Sequence, residues 1–166
     1  DTREDQYMEV IRYKTAKMFE ASAQSGAVLA GPSQDVELAF ARYADHLGSA
    51  FQLVDDVLDY TGSADEMGKN VGDDLAEGKP TLPLIYAMQH AEASQQTMIR
   101  DAIRHGGLDH ITAITEAVQT CGAIEYTLEQ ARHQARLAKE ALGEIDDSMY
   151  KDALLALCDL AVARNH

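Results

Sequence analysis

Apolar residues recur every three or four positions along this 166-residue chain, and strictly alternating runs of β-branched residues are absent. That spacing predicts amphipathic helices rather than strands. The first helix is predicted over residues 4–30 and ends at Gly31-Pro32. Its predicted buried face consists of Tyr7, Ile11, Met18, Ala21 and Ala27. We therefore expect a single domain of the all-α class, built as a helical bundle.

Turn-forming and capping residues divide the rest of the chain into further helices. Ser33 is a good N-cap for a second helix that runs to Tyr60. A new helix is predicted to begin at Pro80, and Ser94 is predicted to cap the next one, which Gly106-Gly107 ends. The last predicted helices cover residues 109–120, 123–142 and 148–163.

Acidic residues outnumber basic ones, since 28 Asp and Glu against 14 Lys and Arg give a net charge of −14. A surface of that sign repels nucleic acid and anionic lipid headgroups, so we expect no nucleic-acid binding and no stable membrane insertion. Cys121 and Cys158 are too few for a disulfide scaffold and favour a reducing compartment. The expected location is therefore cytoplasmic.

One predicted helix has a concentrated acidic face. With about 100° per residue, Gln52 and three carboxylates share an arc of about 100°. The carboxylates are Asp55, Asp56 and Asp59. They repel one another without an intervening Lys or Arg, and oxygen-only ligands favour a hard cation such as Mg²⁺, which keeps several waters. The alternative is a solvated acidic face without a ligand; the spacing does not match the EF-hand Ca²⁺ loop.

The segment after this acidic face combines glycine with charge. Its glycines are Gly62, Gly68, Gly72 and Gly78. Lys69 and Lys79 lie in the same segment, near Asp73 and Asp74. A flexible lid with two lysines beside a carboxylate cluster suits the binding of a metal–diphosphate complex. The alternative is a solvated loop in which the lysines have no specific role.

Three segments resemble motifs of the trans-type polyprenyl diphosphate synthases. The family's second aspartate-rich region is similar to FQLVDDVLDYTGSADEMGKNVGDDLAEGKPTLPLIYAM. Its Lys-Thr helix is similar to Tyr13-Lys14-Thr15-Ala16 together with Gly26-Ala27-Val28-Leu29-Ala30-Gly31. Its later GG-x-E-like segment is similar to Cys121-Gly122-Ala123-Ile124-Glu125-Tyr126-Thr127. The resemblance covers nearly the whole chain.

The resemblance implies a fold, a reaction and a set of site residues. The implied fold is the C-terminal half of an isoprenoid-synthase-type helical bundle. The implied reaction is the Mg²⁺-dependent condensation of isopentenyl diphosphate with an allylic prenyl diphosphate to a long-chain all-trans product, with octaprenyl diphosphate as the expected length. The implied metal ligands are Asp55, Asp56 and Asp59, the implied catalytic residues are Asp55, Asp56, Lys14 and Lys79, and the implied substrate-binding residues are Lys14, Thr15, Gln52, Lys69 and Lys79.

The sequence departs from the family in one respect. The family has two aspartate-rich motifs on facing helices, whereas this chain has one DDxxD. We therefore expect the chain to be inactive alone, and to act with the N-terminal half of the same protein in a homodimer. Two other functions stay open: a class I terpene cyclase and a non-catalytic helical subunit. The GKPTLP segment at residues 78–83 favours the synthase over the cyclase.

Overall fold

Every regular element in the described part of the chain is helical. The computed structural model describes residues 2–61, 72–106 and 108–164, and these ranges contain no β-strand. The all-α prediction is therefore confirmed. The α-helices, in chain order, are α1 Glu4–Ile11, α2 Lys17–Ala30, α3 Gln34–Thr61, α4 Asp73–Ala76, α5 Leu82–His90, α6 Ala93–His105, α7 Ile111–Thr120, α8 Ala123–Ala141 and α9 Met149–Ala163.

A π-helical segment interrupts the first predicted helix. Residues Arg12–Ala16 join α1 to α2 with a wider turn than that of an α-helix. The wider turn changes which positions of α2 face the core, so the predicted buried face is wrong at two places. Met18 is 72% exposed and Ala21 is also exposed. The remaining predicted positions are buried: Tyr7, Ile11 and Ala27.

The predicted start of α5 at Pro80 is wrong by two residues. The amide of Lys79 donates to the carbonyl oxygen of Asp74, which holds the chain before Pro80 in a turn. Thr81 is extended and forms the N-cap, so that α5 begins at Leu82. Pro83 then occupies the first turn, where its missing N–H costs no hydrogen bond.

The predicted cap of α6 at Ser94 is also wrong. Glu92 is the N-cap, and its amide donates to the side-chain oxygen of Gln95 at 3.1 Å. This reach-back starts the helix early, so Ser94 lies inside its first turn. The predicted end is confirmed, because Gly106 adopts the left-handed conformation, with φ 68°, that terminates α6.

The described backbone forms two compact units. The first unit comprises residues 2–7 and the described part of 55–129, and the second unit comprises 8–54 and 130–164. The first unit buries most of α5, through Leu82, Pro83, Leu84, Ile85, Ala87 and Met88. The second unit packs around a buried cluster in which alanine is the commonest residue, namely Tyr43, Ala44, Leu47, Ala50, Ala135, Ala138, Leu142, Cys158 and Ala161. In neither unit do the described helices include one long and apolar enough to cross a bilayer.

Within the second unit, α3 approaches the π-helical segment very closely at Gly48. A Cβ atom added at Gly48 would lie 2.7 Å from the Cα of Ala16 and 3.1 Å from the Cγ of Phe19. Contacts below 3.0 Å to backbone are not tolerated without movement of one helix. The absence of a side chain at Gly48 therefore determines how closely these helices pack.

We predict that Gly48→Ala lowers the free energy of unfolding by about 1–3 kcal/mol, because overpacking outweighs the gain of about 1 kcal/mol in helix propensity. Gly26→Ala is the matched control, since an added Cβ there meets nothing within 4 Å. That control is expected to stabilise the protein by about 0.4–1 kcal/mol. Urea unfolding followed by circular dichroism measures both. Equal stabilisation by the two substitutions would contradict the close approach.

Candidate active site

The acidic face predicted on α3 is present in the first unit. Asp55 and Asp59 are partly buried, whereas Asp56 is only 2% exposed. The opposite side of the same turns packs into the core through Val57 and Leu58. The helix therefore presents three carboxylates on one side because its apolar residues fix the other side inward.

Asp56 is hydrogen bonded to a buried tyrosine. The hydroxyl of Tyr7 donates to Oδ2 of Asp56 over 2.5 Å. Burial, and next the neighbouring charge of Asp56, raise the pKa of Tyr7 well above its usual value, so the hydroxyl keeps its proton and remains a donor. Sequence reasoning placed Tyr7 in the core but missed this contact. The available signal was the hydroxyl itself, since a buried tyrosine usually has a hydrogen-bond partner.

Asp59 lies against the start of α4. The amide of Gly72 donates to the carbonyl oxygen of Asp59 at 3.1 Å, and the amide of Asp74 lies 3.4 Å from Oδ2 of Asp59. Gly72 has φ 85°, a conformation that favours glycine. Burial raises the pKa of Asp59 to about 6, and repulsion from Asp74 is the second cause of this shift.

Lys79 is joined to this group of carboxylates through Asp74. Its ammonium lies 3.5 Å from a carboxylate oxygen of Asp74 and also contacts Glu77. The pKa of Lys79 is raised, mainly by its hydrogen bond with Glu77. The lysine is therefore charged and paired with Asp74, whose amide faces Asp59, and the lid role of Lys79 stays a prediction. Lys69, the other predicted lid lysine, lies outside the described residues.

The three remaining predicted site residues lie in the second unit. Lys14 and Thr15 belong to the π-helical segment, a type of turn that is frequent at functional sites. The hydroxyl of Thr15 donates to the side-chain oxygen of Gln52 at 2.7 Å. Gln52 is 6% exposed, while Lys14 is exposed. The structure thus brings Thr15 and Gln52 together.

The donor set of the first unit fits a hard cation. Its carboxylate side chains at the acidic face are Asp55, Asp56, Asp59 and Asp74, which offer only oxygen atoms, as Mg²⁺ and Ca²⁺ prefer. The pKa of Asp59 is raised first by burial and next by repulsion from Asp74, so ionised Asp59 is unfavourable when no positive charge is bound. Among the described residues, no three His, Cys, Asp or Glu side chains are grouped closely enough to enclose an ion by themselves.

We predict that Asp59→Asn stabilises the metal-free protein at pH 7. The carboxyl of Asp59 has a pKa of about 6 in the fold and an ordinary value of 3.8, so ionisation removes stability as pH rises from about 4 to 6. The substitution should raise the free energy of unfolding by on the order of 1–2 kcal/mol at pH 7 with a chelator, and by nothing near pH 3.5.

Asp101→Asn, on the exposed side of α6, is the matched control and should have no effect at either pH. Urea unfolding at both pH values supplies the comparison. If Asp59→Asn left the stability at pH 7 unchanged, neither burial nor repulsion from Asp74 would disfavour the ionised carboxylate of Asp59.

Known proteins resemble this chain in both sequence and fold. Residues 1–121 match the polyprenyl synthetase family. An octaprenyl diphosphate synthase from Escherichia coli (strain K12) is 45% identical, over 99% of this chain and 51% of its own length. An all-trans-nonaprenyl-diphosphate synthase (geranyl-diphosphate specific) from Rhodobacter capsulatus is 44% identical, over 99% of this chain and 50% of its own length.

A solved structure shows the same similarity. The polyprenyl synthase from Caulobacter crescentus CB15, complexed with calcium and isoprenyl diphosphate, has a TM-score of 0.94 and 37% sequence identity. The similarity covers 100% of this chain and 51% of that one. The chain therefore spans about half the length of the relatives that it matches.

Proposed function

Since this chain belongs to the polyprenyl synthetase family, as its motif segments predicted, we propose that it forms half of an all-trans polyprenyl diphosphate synthase. The proposed enzyme condenses isopentenyl diphosphate with an allylic prenyl diphosphate. The carbon–oxygen bond of the allylic substrate breaks, the alkene of isopentenyl diphosphate attacks the resulting cation, and a proton is lost. The observation that carries the proposal is the acidic face of α3, to which Asp74 and Lys79 are joined.

The difficult step is cleavage of the carbon–oxygen bond, because negative charge then builds up on the departing diphosphate. Asp55, Asp56 and Asp59 would hold Mg²⁺, which supplies positive charge to the diphosphate oxygens when bound. Lys79 would add a second positive charge, because its ammonium can exchange a carboxylate oxygen of Asp74 for a phosphate oxygen. We assign the same role to Lys69.

We assign three further substrate-binding residues, all of which belong to the second unit. Thr15 and Gln52 are supported as substrate-binding residues by the hydrogen bond that orients the two polar groups toward each other. Lys14, in the same π-helical segment, is exposed, and we assign it a charged contact with a diphosphate. We assign no side chain as the general base, since the diphosphate itself can accept the proton.

A second polypeptide segment would complete the enzyme. The second unit exposes large apolar side chains along α1, the π-helical segment and α2, namely Val10, Tyr13, Met18, Val28 and Leu29. Exposed apolar groups of this extent on one helical run favour burial against a partner. We propose that the partner is the N-terminal half of the same protein, which would carry another aspartate-rich motif, and that the complete enzyme is a homodimer.

We predict that Mg²⁺ binds this chain weakly alone and more tightly when inorganic diphosphate is present. Three carboxylates leave much of an octahedral shell to water or to phosphate oxygens, so the diphosphate supplies missing ligands and cancels charge. Titration calorimetry with and without diphosphate makes the measurement. The same affinity in both titrations would contradict a shared metal–diphosphate site.

We predict that Asp55→Asn, in the complete enzyme, lowers kcat by about 10²–10³, because an electrostatic contact that strengthens with the departing diphosphate is lost. Asp101→Asn, which removes an exposed carboxylate elsewhere on the first unit, should leave kcat within about twofold. Steady-state assays use labelled isopentenyl diphosphate, an allylic primer and Mg²⁺. Wild-type turnover in folded Asp55→Asn would refute the assignment.

Analysis of the products separates the proposed activity from the alternatives. Chromatography of the wild-type products is expected to show a linear all-trans chain, with octaprenyl diphosphate as the main species. A cyclic hydrocarbon would indicate a terpene cyclase. A folded, diphosphate-binding protein without turnover would indicate a non-catalytic helical subunit.

A further inference from the structure

We propose that Tyr7 is a positioning residue for Asp56, and that a hydrogen bond between Tyr126 and Glu4 holds Tyr7 in place. Tyr7 would act by fixing the orientation of one carboxylate on the acidic face of α3. The inference rests on the proposed function only where it concerns Mg²⁺ and diphosphate.

The contact between Tyr7 and Asp56 is short and enclosed. The hydroxyl oxygen of Tyr7 lies 2.5 Å from Oδ2 of Asp56, and the two residues are 4% and 2% exposed. A hydrogen bond from a hydroxyl to a carboxylate at this distance is among the stronger kinds in proteins. Because an ionised carboxylate is costly to bury without such donors, Asp56 depends on Tyr7 more than an exposed aspartate would.

The location of Asp56 makes its orientation important. It shares a face of α3 with Asp55 and Asp59, and it is the most buried of the three. A donor that fixes the carboxylate of Asp56 also fixes where its oxygen atoms lie relative to the other two. Loss of a hydrogen bond from a neighbouring residue to a metal ligand typically lowers metal affinity by about 10–100-fold.

Tyr7 is itself anchored through the first turn of α1. Glu4 precedes it by one turn, and the hydroxyl of Tyr126 lies 2.9 and 2.8 Å from the two carboxylate oxygens of Glu4. The ring of Tyr126 stacks on Tyr86 with centroids 4.6 Å apart, and Tyr86 stacks on His90 at 3.9 Å. These rings hold the Tyr126 hydroxyl at one place, so α1 is tied to the first unit.

This anchor gives a role to the sequence segment at residues 121–127. The segment resembles a family motif, but local sequence periodicity does not connect it with the acidic face. In the structure, its Tyr126 belongs to α8 and reaches α1, which in turn presents Tyr7 to Asp56. All these residues belong to the first unit.

The test compares Tyr7→Phe with Tyr43→Phe. Both substitutions delete one hydroxyl from a buried tyrosine, since Tyr43 is 3% exposed and donates to the carbonyl oxygen of Leu154 at 2.9 Å. Tyr7→Phe should lose more stability, because it leaves a buried carboxylate rather than a carbonyl oxygen without its donor, so the two variants are compared by metal affinity and not by stability. Titration with Mg²⁺ in the presence of inorganic diphosphate should show a 10–100-fold loss of affinity for Tyr7→Phe and less than a twofold change for Tyr43→Phe.

A metal-free crystal structure of Tyr7→Phe gives a second, independent readout. We expect the carboxylate of Asp56 to leave its wild-type rotamer or to occupy more than one. An Asp56 carboxylate that keeps its wild-type orientation overturns the inference. If the wild-type protein fails to bind Mg²⁺ with diphosphate, the proposed function fails, and this structure still decides the role of Tyr7.

A double-mutant cycle tests the anchor. Tyr126→Phe alone should weaken binding of Mg²⁺ and diphosphate by a smaller factor, about threefold, because it loosens α1 without removing the Tyr7 hydroxyl. In a Tyr7→Phe background the same substitution should have no further effect. Equal losses in both backgrounds would show that Tyr126 acts independently and would overturn its part in the inference.

Discussion

The carboxylate of Asp56 lies inside the first unit, and the local structure depends on how its charge is satisfied. A buried charge without partners would be strongly destabilising, and removal of a partner from such a group costs more than the bond itself contributes. The hydroxyl of Tyr7 supplies a donor, and this requires α1 to lie where Tyr7 can reach α3. The position of the N-terminal helix is thus linked to the acidic face through the contact of Tyr7 with Asp56, although the two residues are 49 positions apart in the sequence.

The same group of carboxylates opposes folding stability. Burial, and next repulsion from Asp74, raises the pKa of Asp59 to about 6, even though the amide of Asp74 faces it. Natural proteins keep such unfavourable arrangements mainly at functional sites, where a ligand relieves them. Lys79 neutralises part of this charge, but it is partly exposed and also contacts Glu77. The electrostatics of the first unit therefore match a site that binds a cation and an anion together.

The helices and the acidic face were predictable from the sequence because both depend on local periodicity. The apolar spacing around Asp55, Asp56 and Asp59 determines which side of α3 is buried, and the structure agrees. Contacts between distant segments were not predictable, since nothing in local periodicity links Tyr7 with Asp56 or Tyr126 with Glu4.

The predicted start of α6 was wrong because another side chain capped the helix earlier in the chain. The side-chain oxygen of Gln95 accepts from the amide of Glu92, so the N-cap of α6 is Glu92, two residues before the predicted Ser94. The predicted buried face failed at Met18 because a change of helix type has no clear sequence signature here: residues Arg12–Ala16 contain neither Gly nor Pro. Hydrophobic patterns assume one helix type throughout, and a π turn violates that assumption.

The π-helical segment also separates the phases of the two helices that it joins. It behaves as a one-residue insertion absorbed within a single turn, so α1 and α2 need not present their side chains in a common register. Tyr7 can then face Asp56 while Ala16 faces Gly48, each contact in its own unit. Deletion of one residue from Arg12–Ala16 would restore a regular α-helix and leave the orientation of α2 nearly unchanged, because the wide turn already absorbs that residue. The helical content would hardly change, and Ala16, if it is not the deleted residue, would still meet the gap left by Gly48.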